Sequence, residues 1–222
     1  QMISYEIPMG LAVVTLVLMA GSLSLNDMVD AQSSGGVWFA FPQFVSMVIF
    51  LIASIAEMNR APFDMAEAES ELVAGFHTEY SGFRFAMFYM GEYVNIVTVS
   101  ALATVMFLGG WQAPFGLPEV PLLWFVIKVF AFILFFMWVR ATFPRIRYDL
   151  LMGFGWKVLI PAGFLNFAVT AVVMALYPGD AIRILTMINI PLAVAIGIAM
   201  KITASRVAGK APRLAQQVEA GS

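Results

Sequence analysis

Six apolar runs constrain this chain more than any other feature, at 5–24, 39–57, 83–108, 121–139, 157–177 and 184–202. A bilayer core about 30 Å thick takes about 20 apolar residues in helical form to cross. Backbone placed in hydrocarbon must satisfy its own hydrogen bonds, and apolar runs of this length do so as helices. The predicted fold is therefore all-α, a polytopic membrane protein with six transmembrane helices. Only 12% of the residues are charged, against about 25% in a soluble domain, so a water-soluble core is excluded.

The charges between the runs alternate in kind. Segments 25–38 and 109–120 contain no Lys or Arg, whereas 140–157 carries Arg140, Arg145, Arg147 and Lys157. Beyond Met200 the chain carries Lys201, Arg206, Lys210 and Arg213, and Arg60 and Arg84 bracket the second connecting segment. The positive-inside rule then places 58–83, 140–157 and the C-terminus in the cytoplasm. Residues 1–202 read as one transmembrane helical domain and 203–222 as a basic cytoplasmic tail. No signal peptide is visible before the first run. With no Cys in the sequence, thiolate-held clusters and disulfides are excluded. A net charge of −2 and a single His give no basis for a nucleic-acid surface or a metal site.

Against this background EMNRAPFDMAEAESELVAGFH (57–77) is anomalous. Six of the fourteen acidic residues fall between Glu57 and Glu79, opposed only by Arg60. Asp64 followed by Glu67 has the spacing of a helix N-cap and its capping partner. Pro62 keeps the helix from starting earlier, and Gly75 suits its end. The expectation is a short amphipathic helix at the cytoplasmic face, with Asp64, Glu67 and Glu71 on one side and Glu69 elsewhere. A solvated helix face would look the same. The carboxylates continue, however, into Glu57 at the end of one run and Glu79 near the start of the next.

Charge also enters the runs themselves. Glu92 lies about 12 Å along its helix from Arg84, where an acid costs about 3 kcal/mol on insertion scales and marks a functional candidate by default. Helical spacing gathers Ser81, Tyr89, Glu92 and Asn95 into one polar stripe. Lys128 lies about 10 Å in from the opposite surface on the next run, and Glu6 opens the first. Two readings stand: a buried Glu92–Lys128 pair acting only in packing, or a chain of protonatable groups.

The strings SYE (4–6), EMNRAPFDMAEAESELVAGFHTEYSG (57–82), MGEY (90–93) and RATFPRIRYDLLM followed by WK (140–157) resemble the quinone-chamber membrane subunit, the H subunit, of the proton-pumping NADH:quinone oxidoreductase, respiratory complex I. The resemblance covers roughly residues 1–177. It implies a multi-pass subunit of the bacterial plasma membrane that forms part of the quinone chamber and links quinone reduction to proton translocation. Arg60, Asp64, Glu67, Glu69 and Glu71 are then one chamber loop, and Arg140, Arg145, Arg147 and Asp149 a second. Glu6, Glu57, Glu79 and Glu92, with Lys128, form the implied proton path. Quinone is the implied substrate, with FMN and iron–sulfur clusters in partner subunits and no redox centre in this chain. Implied partners are the peripheral-arm subunits, including the one holding the terminal iron–sulfur cluster, the small and antiporter-like membrane-arm subunits, and lipid. The family's first helices are missing from this sequence, and the run at 184–202 has no counterpart in the common form.

Three other readings fit parts of the sequence. The related membrane-anchor subunit of a membrane-bound hydrogenase shares the anchoring logic without quinone. A secondary transporter would use Glu92 as its coupling site, but matching broken spans in two halves are not seen. A purely structural anchor would use its carboxylates only to dock partners.

Overall fold

The computed structural model describes residues 1–60, 62–63, 82–113, 120–144, 146, 148–177, 179–189 and 191. Among these residues every regular element is helical. They are α1 (Met2–Ala20), α2 (Leu25–Gly35), α3 (Phe44–Glu57), α4 (Phe83–Phe107), α5 (Pro121–Thr142), α6 (Tyr148–Phe154) and α7 (Ile160–Leu176), followed by a helical stretch at 181–189. Residues 155–159 join α6 to α7 through a π turn, in which the Ile160 amide donates to Gly155 O.

Among the described residues, four helical segments are long and apolar enough to cross a membrane: Met2–Ala20, Phe83–Phe107, Pro121–Thr142 and Leu150–Leu176. The run expected at 39–57 contributes a shorter helix, because Pro42 and the turns around it delay its start to Phe44. Most of the run expected at 184–202 lies outside the described residues, as do the tail 203–222 and the expected helix beginning at Asp64.

Two connections differ from the expectation: segment 140–157, read as a loop, carries α6, and segment 25–38 is helical as well. The latter, which reads as a plain link, contains α2. Its helix buries Met28, Val29 and Gln32 on one face, the one-turn spacing of an amphipathic helix. Gln32 secures that face by donating from Nε2 to Val105 O and Met106 O on α4. A window tuned to membrane-length apolar runs passes over an element this short and polar.

The core is built where α1 packs on α3 and α7. Lipid tails offer no hydrophobic advantage to association, so close packing of small residues has to supply it. Ala12, Ala53 and Ala56 are buried here. A methyl group on Gly163 of α7 would sit 3.3 Å from the Leu11 side chain of α1, so the leucine already packs tightly over the glycine and would have to shift slightly to admit one. Larger residues fill the remainder: Leu16, Ile49, Phe50, Phe107 and Leu159 are buried, and the rings of Phe50 and Phe107 meet at 5.5 Å. Helices α4 and α5 pair beside this core and turn Phe88, Met90, Val94, Val126, Phe130 and Met137 outward. Hydroxyls inside the helices fold back onto their own backbones, as Thr15 does to Leu11 O and Thr104 to Ser100 O. That satisfies them without water.

Candidate functional site

Helix α3 ends at Glu57, and Asn59 then takes a left-handed backbone conformation with φ 50°. Asparagine is one of the few non-glycine residues that tolerates this region. The turn swings Arg60 back toward α4, where it is buried. Its Nε meets Glu92 Oε1 in an ion pair. The guanidinium also lies 5.8 Å from the ring centroid of Tyr89 and 5.3 Å from that of Tyr93. Tyr89 and Tyr93 are one helical turn apart and flank Glu92, so a single face of α4 supplies the carboxylate and both aromatic faces. Arginine suits such a place because its flat, weakly hydrated cation stacks and pairs at once. Nη2 of Arg60 is buried with no hydrogen-bond partner among the described residues.

Several chain segments converge beside this pair. Gln1 Nε2 donates to Ala56 O at 3.0 Å and to Phe63 O at 2.8 Å, which ties the start of α1 to both sides of the Arg60 turn. The ring of Tyr5 packs on Phe63, and its hydroxyl donates to Leu151 O at 2.9 Å. The Ile146 amide donates to Pro62 O at 3.1 Å, joining the segment after α5 to the segment after α3. Glu6, exposed on α1, lies close enough to Glu57, half-buried at the end of α3, for their charges to repel.

The sequence-derived candidates divide into three groups. Glu6, Glu57 and Arg60 are brought to the end of the bundle where α3 finishes and α6 begins, and Arg60 reaches Glu92 inside α4. Arg140 is exposed in the last turn of α5, and Asp149 lies in the first turn of α6. Asp64, Glu67, Glu69, Glu71, Glu79, Arg145 and Arg147 fall outside the described residues, as does Ser81 of the polar stripe.

The Glu92–Lys128 pair, one of the two readings of these charges, does not form. Lys128 Nζ donates to Leu108 O at 2.7 Å, Gly110 O at 3.1 Å and Gln112 O at 2.8 Å. It also lies 4.9 Å from the ring centroid of Trp38. Leu108 follows Glu92 by sixteen positions, which is about 24 Å of helix, so the Lys128 ammonium sits at the C-terminal end of α4, far from Glu92 within that helix. Depth along the two runs is all that suggests the pairing. What decides it is the turn after α4, where Gly109 and Gly110 adopt φ of 69° and 53° and aim carbonyls inward at a cation. Sequence reasoning misses Tyr93, although its position four residues after Tyr89 and beside Glu92 is the available signal. Among the described residues no three His, Cys, Asp or Glu side chains gather in a group able to hold a metal.

Comparison with known proteins supplies the wider setting. Residues 1–171 match the family model described as NADH dehydrogenase. The chain is 56% identical over 171 residues to the NADH-quinone oxidoreductase H subunit of Protochlamydia amoebophila, covering 77% of this chain and 51% of that protein. It is 56% identical over 174 residues to the second NADH-quinone oxidoreductase H subunit of Geobacter sulfurreducens, covering 78% of this chain and 51% of that protein. The corresponding Bacillus cytotoxicus protein is 51% identical over 178 residues, 80% of this chain and 53% of the relative. The chain thus spans about half the length of the curated relatives it matches. With the family model reaching from residue 1 to residue 171, the chain belongs to the NADH dehydrogenase family.

Proposed function

We propose that this chain acts as part of the H-type membrane subunit of a proton-translocating NADH:quinone oxidoreductase, lining the quinone chamber and linking quinone reduction to proton movement. The observation that carries this reading is the pair between buried Arg60 and half-buried Glu92. It joins the acidic 57–79 segment directly to a carboxylate inside a membrane-length helix. Quinone reduction takes up protons and changes the local charge. A change near the Arg60 turn alters the balance between Arg60 and Glu92, and Glu92 can then gain or release a proton. The charge repulsion between Glu6 and Glu57 supplies neighbouring groups that respond to the same field.

In this reading Arg60, Asp64, Glu67, Glu69 and Glu71 form one chamber loop and Arg140, Arg145, Arg147 and Asp149 the other. The Ile146–Pro62 hydrogen bond supports their proximity. Glu6, Glu57, Glu79 and Glu92 form the acidic path, with Lys128 assigned to its far end. Six spans, with 58–83, 140–157 and the C-terminus cytoplasmic, complete the arrangement in a bacterial plasma membrane. The electron carriers, FMN and iron–sulfur clusters, belong to peripheral partners, and antiporter-like membrane subunits and lipid surround the chain.

The test is Glu92→Gln, which keeps shape and hydrogen bonding but removes titration. In the assembled complex, quinone-linked turnover and proton pumping should fall together, while artificial acceptors of the peripheral arm are still reduced. Wild-type turnover and pumping in that variant would reduce the pair to structural polarity.

A further inference from the structure

At the start of α3, Gln43, Ser46, Asn166, Thr170 and Asn189 are all buried, none more than 1% exposed. This is the opposite end of α3 from Arg60, about 20 Å away along the helix. Gln43 Nε2 donates to Thr170 Oγ1 at 2.8 Å, and Thr170 Oγ1 donates to Asn166 O at 2.9 Å. Gln43 Oε1 accepts from Asn166 Nδ2 at 3.0 Å and from Ser46 Oγ at 3.2 Å. Asn166 Nδ2 also donates to Ser46 Oγ at 2.7 Å. Asn189 Nδ2 donates to Pro42 O.

Counting donors and acceptors leaves a consistent remainder. Both hydrogens of Asn166 Nδ2 are used and both lone pairs of Gln43 Oε1 are filled. The carboxamide oxygens of Asn166 and Asn189 are buried with no partner among the described residues. Turning either amide over does not help. A turned Asn166 would set its oxygen against the Gln43 oxygen, and a turned Asn189 would set its oxygen against the Pro42 carbonyl, which has no hydrogen to give. Asn189 is thus fixed as an acceptor, and so is Asn166 with Gln43 as assigned; turning Gln43 and Asn166 together would leave an amide donor there instead, which water satisfies equally well. Beside them α3 begins without a side-chain cap, so its first amides are donors in search of an oxygen.

We propose that Asn166 and Asn189 anchor ordered water at the uncapped start of α3, a buried hydration site between α3, α7 and the 181–189 helix. Water alone among common small ligands donates to the two carboxamide oxygens and accepts from helix amides. A metal cation suits the oxygens but not the positive end of a helix. Segments 39–56, 160–176 and 181–189 contain no Asp or Glu to neutralise one. Polar sites of this kind typically bind water through two to four partners.

A high-resolution cryo-EM map of the native membrane protein in lipid nanodiscs, purified with the subunits it assembles with, tests this directly. The expected result is a density peak about 2.8 Å from each oxygen, at a resolution where other buried waters are seen. In Asn166→Leu the peak at that position should vanish while the peak at Asn189 persists. The wild-type map decides the proposal if the variant does not assemble. A dry oxygen at either position, or a protein donor occupying it, overturns the proposal. A peak about 2.4 Å from about six oxygens, the signature of a hard cation, also overturns it.

Discussion

Replacing Lys128 with Met keeps an unbranched chain of similar length and removes the ammonium from the turn after α4. Three carbonyls lose their donor: those of Leu108, Gly110 and Gln112. A buried acceptor left unsatisfied costs about 1–3 kcal/mol, so the gross loss is about 3–9 kcal/mol. The contact with the Trp38 ring adds about 1 kcal/mol. Against this, burying an ammonium costs several kcal/mol in the native protein, and the substitution relieves it. The net expectation is a local destabilisation of about 3 kcal/mol, concentrated between α4 and α2, because Gln112 Nε2 also holds Val29 O at 2.7 Å. Hydrogen exchange on the assembled protein reads this locally. The Leu108 and Gly110 amides, both bonded to Thr104 O, should exchange about a hundredfold faster, since about 1.4 kcal/mol corresponds to tenfold. Lys128→Arg should fall between the two, since a planar fork does not reproduce a three-carbonyl cradle. Unchanged protection in Lys128→Met would refute the reasoning.

Cysteines introduced at Ala66 and Ser205 should resist a membrane-impermeant thiol reagent applied to intact cells, while one at Ser33 should react; labelling at Ala66 would overturn the topology. Arg147→Ala should depress quinone reduction more than assembly, and normal quinone reductase activity in a fully assembled variant would count against its place in a chamber loop. Gly109→Ala should destabilise the α4 end by about 1–2 kcal/mol, from the left-handed backbone and from a new carbon 2.9 Å from Gln112 Oε1; a variant as heat-stable as the parent would contradict it.

How much of the molecule is legible in its sequence depends on the range of the interaction. Helix identity follows from apolar length, and α4 and α5 lie close to where the runs place them, whereas the helical segment ending at Leu176 begins at Leu150, ahead of its run at 157–177. Helix α2 escapes because its signal is one buried face of three residues rather than a long apolar run. The acidic segment and Glu92 stand out as charges in apolar surroundings. Their pairing does not, because the partner of Glu92 depends on the Asn59 turn and on which helix end lies beside which. Arg60 is visible as the lone opposing charge, yet only the backbone reversal reveals that it reaches Glu92 on α4. The Lys128 cradle is built from carbonyls, which carry no residue-type signature at all. The polar cluster at the start of α3 is equally hidden, since its members are neutral and more than 120 positions apart in three of its contacts.

The central claim is that Glu92 changes protonation when quinone is reduced nearby. Infrared difference spectroscopy of the assembled complex, comparing oxidised and quinol-loaded states, measures that change at the carboxyl group itself. The account predicts a protonated-carboxyl C=O band that differs between the two states and is lost in Glu92→Gln, together with reduced pumping in that variant. A wild-type spectrum that Glu92→Gln leaves unaltered, with pumping intact, would contradict it.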